Sequence, residues 1–577
     1  MNDRLLNLHP AAKVTDLLAR GQWTSATIDQ VFRDQVRARG DALALADPAN
    51  RATLAGGDPR RLTWAQLGDE VTSLTARLAE AGVCRGDLVA IQLANGIELT
   101  ETLLALWTLG ATASPLAMQY RDHEIVSLCG SAGVDWVIAA RRFGDRHPAA
   151  DFSRLRDALP SVRGVFSYGL PGDAVGDVSE VVDLLPGAAT PAHQQTVDAY
   201  RAAQPNDPND CATVCWTSGT EGIPKGVMRA HYDWLVFSTV CLDAPNITAD
   251  DVMLNAFPMI NMAGICAMML PWLRSGCVLV QHHPFDAPTF FGQIARERVT
   301  YTLAPPALLS MLLQNEDLLS KVDLSSLTRI GSGSAPLSPA MVRGWQERFG
   351  LPIINFFGSN EGVALLSSSV DIPDPEDRAL YFPRFGAEGH TWSMRLSEWA
   401  DVKLFDIETG QEITEPGRPG ELHISGPHLF ARYLDAANLQ SPFDEAGYLK
   451  TGDLFEIAGD DNQFVRYVDR AKDIVIRGGM NIAPVELESL ILHHPAVADT
   501  AIVGRPDELM GERVAAFVVL HPGSALELAE LVAFLREKSI ASYKLPESIH
   551  VLVELPRNPV GKVVKSELRG LFARELV

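Results

Sequence analysis

Long uninterrupted apolar runs are missing from the 577 residues: the most hydrophobic window, 262–280, is broken by Pro271 and Arg274, so it reads as a buried helix running into a buried strand rather than a membrane span. Cysteine is sparse and unpaired in pattern. The seven (Cys84, Cys129, Cys211, Cys215, Cys241, Cys266 and Cys277) are odd in number and show no CxxC spacing, which argues against a disulfide framework or a thiolate zinc site and for reduced thiols. Positive charge is in short supply, with 49 Lys and Arg against 72 Asp and Glu and a formal net charge of −23. Nucleic acid and anionic membrane, which attract basic surfaces, are therefore not expected partners. The first ten residues carry no export-type apolar core, so a cytoplasmic location is expected. What is present is a chain with 47% hydrophobic residues and a mean hydropathy of +0.04, long enough for two or more domains.

Apolar residues at Leu67, Val71, Leu74, Leu78 and Ala81 recur at helical spacing, and Thr63 with Gln66 forms a capping box, so residues 62–82 are predicted helical. Leu88 to Leu93 reads as a buried strand and Ile97 to Leu109 as the next helix. The rhythm returns at Val134–Ala139, Val278–Gln281 and Val299–Leu303. Apolar strands alternating with helices predict an α/β fold of mostly parallel layered sheets. Short strands with Gly and Pro turns between about Leu404 and Tyr433 predict a small β subdomain, and an α+β pattern opens near Pro484.

The densest chemistry lies at Thr217-Ser218-Gly219-Thr220-Glu221-Gly222-Ile223-Pro224-Lys225-Gly226. Glycines let backbone N–H groups approach closely, hydroxyls donate, and lysine supplies a point charge: the needs of a polyphosphate. The string is not a Walker A loop, since Lys225 is followed by Gly226 and Val227. By itself it also reads as a solvated turn. The segment resembles the phosphate loop of the adenylate-forming superfamily, which holds acyl-CoA and aryl-CoA ligases and the adenylation domains of peptide synthetases. Glu221 stands where a threonine is more familiar.

Further motifs of that superfamily follow in order. Asn355-Phe356-Phe357-Gly358-Ser359-Asn360-Glu361 resembles the aromatic-Gly-x-Thr-Glu motif, with Asn360 in place of threonine. The resemblance implies that Phe357 packs on adenine and that Glu361, with Thr220, holds Mg²⁺. Ser332-Gly333-Ser334-Ala335-Pro336 resembles the stretch lining the adenine and acyl pockets. Tyr448 to Asp453 resembles Tyr-x-x-Thr-Gly-Asp, placing Asp453 on the ribose hydroxyls. Asp469-Arg470-Ala471-Lys472 resembles the hinge, with Arg470 toward nucleotide and Lys472 as pivot, and Arg477-Gly478-Gly479 the loop that meets the pantetheine arm of CoA. Pro556 to Lys562 resembles the terminal motif whose lysine serves adenylation. His231, Asn261, Met262 and Gly264 fall where the family gates its acyl pocket, with Asn261 where histidine or an aromatic is usual.

The resemblance implies domains at 1–468 and 473–577 about a hinge at 469–472, and two half-reactions: a carboxylic acid attacks ATP to give an acyl-adenylate, then a CoA thiol takes the acyl group. Three alternatives stay open. Glu221 and Asn360 suggest a ligase impaired in adenylation that mainly thioesterifies; a carrier protein replaces CoA in an acyl-AMP loader; and a non-catalytic binder is the outside reading, against which Lys225 and Lys562 stand. The Phe-Gly-Ser-Asn-Glu variant and the small residues near Asn261 suggest a bulky steroid- or terpenoid-derived acid, and a homodimer is the family expectation.

Overall fold

The computed structural model describes residues 3–575 except 169–180, 186, 218–223, 436–440, 478–479, 508–509, 539, 541 and 559–560. Two compact units divide the chain. The first comprises residues 1–379, 391–400 and 426–441; the second comprises 380–390, 401–425 and 442–577.

Two eight-stranded sheets organise the first unit. In one, Val252–Asn255, Tyr301–Leu303, Arg329–Gly333 and Ile353–Gly358 run parallel, and Ala364–Ser367 closes the edge antiparallel. In the other, Leu88–Gln92, Thr112–Pro115 and Cys211–Thr217 are parallel, and Lys225–Ala230 then Arg432–Tyr433 extend it antiparallel. The predicted helix is observed at Trp64–Glu80 with its Thr63/Gln66 capping box. Helix Ile97–Leu109 is buried at every position, with its Glu98 paired to Arg51 and its Glu101 accepting from the Tyr168 hydroxyl; Gly96 has no side chain to cap it, and Asp47 Oδ1 accepts from the Ile97 amide at 2.9 Å instead. Beneath Arg329–Gly333 and Ile353–Gly358 lies a core of Phe290, Leu309, Val342, Trp345 and Ile353. The window 262–280 is the expected buried helix and strand, but its helix carries a π turn at Ile265–Met269 that the 3.6-residue period does not reveal.

The short-strand texture read between Leu404 and Tyr433 is the middle of a six-stranded antiparallel sheet in the second unit, which collects strands from Tyr381–Pro383 through Phe464–Arg470. Its last two residues do not stay in it: Arg432–Tyr433 pairs with Lys225–Ala230 in the first unit. Beyond Arg470 a five-stranded sheet forms around Val497–Asp507 and Gly511–Leu520. Alternation along the second of these strands sorts Val514, Ala516 and Val518 to one core and Ala515 and Phe517 to another, so helices Pro484–Ile491 and Leu528–Glu537 cover one face and Lys565–Glu575 the other.

Candidate functional site

Parallel sheets present ligands at the carboxyl ends of their strands. In the first unit, three sequence-predicted stretches leave from such ends: residues 256–264 after Val252–Asn255, Ser334–Pro336 after Arg329–Gly333, and Ser359–Glu361 after Ile353–Gly358. Close backbone approach shapes this edge. A Cβ on Gly333 would lie 2.3 Å from the Phe356 carbonyl oxygen, and one on Gly264 the same distance from that of Pro258. Ser334, though not glycine, takes a left-handed φ of +69°, turning the chain outward so that Ser334, Ala335 and Pro336 stand exposed. Phe356, Phe357 and Gly358 are half-buried, a posture suited to stacking. Asn355 is committed elsewhere: its amide Nδ2 donates to the Ala379 carbonyl at 2.9 Å. Ser332 likewise donates to the Ala304 carbonyl at 2.8 Å.

The phosphate-loop flanks lie in the second sheet. Register pairs Thr217 with Lys225 at one end of the sheet. Ser218, Gly219, Thr220, Glu221 and Gly222 lie outside the described residues. Lys225 Nζ sits 5.3 Å from the centre of the Tyr433 ring, and the Tyr433 hydroxyl donates to Glu361 Oε1 at 3.2 Å. Tyr433 therefore touches both the lysine and the glutamate on which the sequence reading rested. Burial, with the Glu361 charge, drives its phenol well above the usual range, so it stays a donor. The Phe430 amide donates to the Glu361 carbonyl at 3.0 Å, fixing the backbone below the carboxylate. Among the described residues Glu361 makes no ion pair with Lys or Arg. One half-exposed carboxylate beside a lysine fits a Mg²⁺ that takes its remaining ligands from phosphate and water.

Arg229, four residues along the strand from Lys225, is fully buried without an ion-pair partner among the described residues. Its guanidinium lies 4.9 Å from the Trp234 ring centre and 4.5 Å from that of Phe237, donates from Nε to the Asn360 carbonyl at 2.7 Å, and from Nη1 to the His428 carbonyl at 2.9 Å. Burial, reinforced by the Arg229 charge, pushes the His428 imidazole down to about 3, so it is neutral there. His231, read as a gate residue, is buried, and its Nδ1 accepts from the Ile28 amide at 3.2 Å; burial lowers its pKa and keeps that nitrogen an acceptor. Asn261 caps the short helix Met262–Gly264, its Oδ1 accepting from Ala263 N at 3.0 Å.

In the second unit, Asp453 and Arg470 face each other across strands Leu449–Ala458 and Phe464–Arg470, with Arg470 Nε 3.2 Å from Asp453 Oδ1. Asp453 is 5% exposed and Arg470 is at the surface. Asp469 is buried, its Oδ2 accepts from the Val485 amide at 2.9 Å, and burial raises its carboxyl to about 6. Lys472 follows at the surface; the protein packed around it lowers its ammonium pKa, Arg470 and Arg569 adding to the pull against Asp473 and Asp453. Arg477 is paired with Glu547 at 2.9 and 3.0 Å. Register sets Arg477 opposite Met480; Gly478 and Gly479 lie outside the described residues. Lys562 is exposed on a turn in which its amide donates to Asn558 Oδ1 at 2.9 Å.

The sequence reading missed Tyr433 and Arg229. Tyr433 carried no signal, because its partners lie 208 and 72 residues away; Arg229 carried one, an arginine flanked by the apolar Val227, Met228 and Ala230.

Known proteins match this arrangement along most of the chain. The AMP-binding enzyme family matches residues 32–434, and the AMP-binding enzyme C-terminal domain matches 486–562. The 3-[(3aS,4S,7aS)-7a-methyl-1,5-dioxo-octahydro-1H-inden-4-yl]propanoyl:CoA ligase of Mycobacterium tuberculosis is 31% identical over 92% of this chain and 97% of its own length. Pyochelin synthase PchD of Pseudomonas aeruginosa is 30% identical over 98% of this chain and 96% of its own. The crystal structure of the anthranilate CoA ligase AuaEII with anthranoyl-AMP superposes with a TM-score of 0.77 at 21% identity, covering 96% of this chain and 98% of that one, a likeness of fold.

Proposed function

The chain belongs to the AMP-binding enzyme family, and from that premise we propose that it is an ATP-dependent acid–thiol ligase that activates a carboxylic acid as its acyl-adenylate and passes the acyl group to CoA. The observation that carries the reading is the Lys225–Tyr433–Glu361 constellation at the carboxyl ends of the strands. Lys225 neutralises charge on the polyphosphate; Glu361, steadied by Tyr433, would hold a Mg²⁺, which would supply charge compensation in the first step. Phe357 stacks on adenine and Asp453 grips the ribose, with Arg470 beside it. The acid attacks the α-phosphorus, and pyrophosphate leaves with the bonding electrons. Such a reaction asks the protein for positioning and charge rather than covalent work.

Lys562 serves this first step, and residues 473–577 then turn about Lys472, bringing Gly478 and Gly479 to the pantetheine arm. The thiol adds to the acyl carbon, and AMP departs. The similarity to a bicyclic propanoyl:CoA ligase supports a bulky, ring-bearing acid. A second reading, loading of a carrier-protein thiol, is supported by the similarity to pyochelin synthase PchD. Incubating the full chain with ATP, Mg²⁺ and a panel of ring-bearing and linear acids, with CoA in one arm and a phosphopantetheinyl carrier in the other, tests both by product mass. Acyl-CoA from ring-bearing acids is expected; acyl-carrier without acyl-CoA would replace the first reading by the second, and neither product from any acid would count against ligase activity.

A further inference from the structure

Of the two positions at which the sequence departs from the superfamily pattern, Asn360 bonds to the residue that follows the other, Asn261. Asn360 is 9% exposed, and its Oδ1 accepts from the Met262 amide at 2.8 Å. Met262 opens the short helix that Asn261 caps, and its methyl end lies over Gly358, where a Cβ would come within 2.7 Å of Cε. Behind Asn360, Arg229 holds its carbonyl at 2.7 Å. Elsewhere the 256–264 segment is pinned by Asn95, whose Nδ2 donates to the Phe257 carbonyl at 2.8 Å and whose Oδ1 accepts from Met259 N at 3.1 Å.

We infer that Asn360 is a positioning residue that latches the acid-binding segment 256–264 to the nucleotide turn 358–362, with Arg229 as the buried strut behind it, so that nucleotide occupancy fixes the acid segment. A carboxamide acts here where a shorter hydroxyl side chain would fall short of the Met262 amide. Arg229 suits the strut: its two carbonyl acceptors belong to the 360 turn and to the segment carrying Tyr433, so one rigid guanidinium sets both. The inference rests on the reading of residues 353–362 as a nucleotide site.

Hydrogen–deuterium exchange on the full chain, with and without AMP, tests it. Without ligand, Asn360→Ala speeds exchange in peptides containing the Met262 amide roughly tenfold, the loss of one hydrogen bond, while Asn360→Asp, which keeps an acceptor oxygen, stays near wild type. With AMP, the wild type gains protection at both 353–366 and 257–269; Asn360→Ala gains it at 353–366 alone. In steady-state assays the same variant raises KM for the acid more than KM for ATP. Equal AMP-induced protection of 257–269 in wild type and Asn360→Ala would overturn the latch while leaving nucleotide binding intact, as would an Asp variant no better protected than the Ala variant. Absence of AMP-induced protection at 353–366 in the wild type would remove the nucleotide reading and the latch together.

Discussion

The two units hold their functional side chains by different means. In the first, the Glu361 turn is fixed by backbone amides, a phenol and a buried arginine whose acceptors are carbonyls. In the second, Arg477 and Arg513 both lean on Glu547, Arg569 on Asp473, Arg557 on Asp499 and Lys565 on Glu488. Buried hydrogen bonds at fixed geometry set positions that change little with salt, whereas half-exposed ion pairs are individually weak and screened. Under the proposed function, the contrast suits a floor preorganised for adenylate formation and a region that rearranges between the two half-reactions.

The comparison breaks most severely at Lys562 and Glu361. Lys562→Ala is expected to lower acid-dependent pyrophosphate exchange by roughly 10²–10³-fold, the range for losing one preorganised charge-stabilising group, while leaving thioester formation from a supplied acyl-adenylate within about threefold. Glu361→Gln should cost a similar factor in exchange and raise the Mg²⁺ concentration needed for half-maximal rate. Next comes Gly264→Ala. Its Cβ would meet backbone of Pro258 and Met259 at 2.3–2.7 Å, and a loss of about 3 kcal/mol in unfolding free energy, read by urea titration, is expected because backbone cannot give way as a side-chain tip can.

Asp469 supplies the test in the second unit. Because burial raises its folded-state carboxyl to about 6, the folded chain holds a proton that the unfolded chain releases near pH 4. Its contribution is therefore fully present below about pH 4 and is lost as pH climbs toward 6, on the order of 2 kcal/mol across the window. Asp469→Asn should flatten that slope in stability measured against pH. Smallest is Tyr433→Phe, which removes one hydrogen bond to Glu361 and keeps the ring under Lys225: about 1 kcal/mol, or roughly fivefold in kcat/KM for ATP. No change would detach Tyr433 from the first unit's rigid floor.

Much of this was legible beforehand because local rules carried it. Strand ends followed by Gly, Ser and Thr marked the loops, and the Thr63/Gln66 box and apolar spacing marked the helix at Trp64–Glu80. What escaped were long-range choices. Arg432–Tyr433 has the composition of its neighbours in the small sheet, yet pairs with Lys225–Ala230, and only that pairing delivers Tyr433 to Glu361. The buried His231 ring accepts from the Ile28 amide, 203 residues away in sequence. The meeting of Asn360 with Met262 joins residues 98 apart, a contact no local pattern encodes.

Acid-dependent exchange of labelled pyrophosphate into ATP, run on the wild type and on Glu361→Gln, probes the central claim most directly. Exchange that requires an acid in the wild type and collapses in the variant is predicted. Absence of exchange with every acid, while synthetic acyl-adenylate and CoA still yield thioester, would contradict the claim that the Lys225–Tyr433–Glu361 floor activates acids.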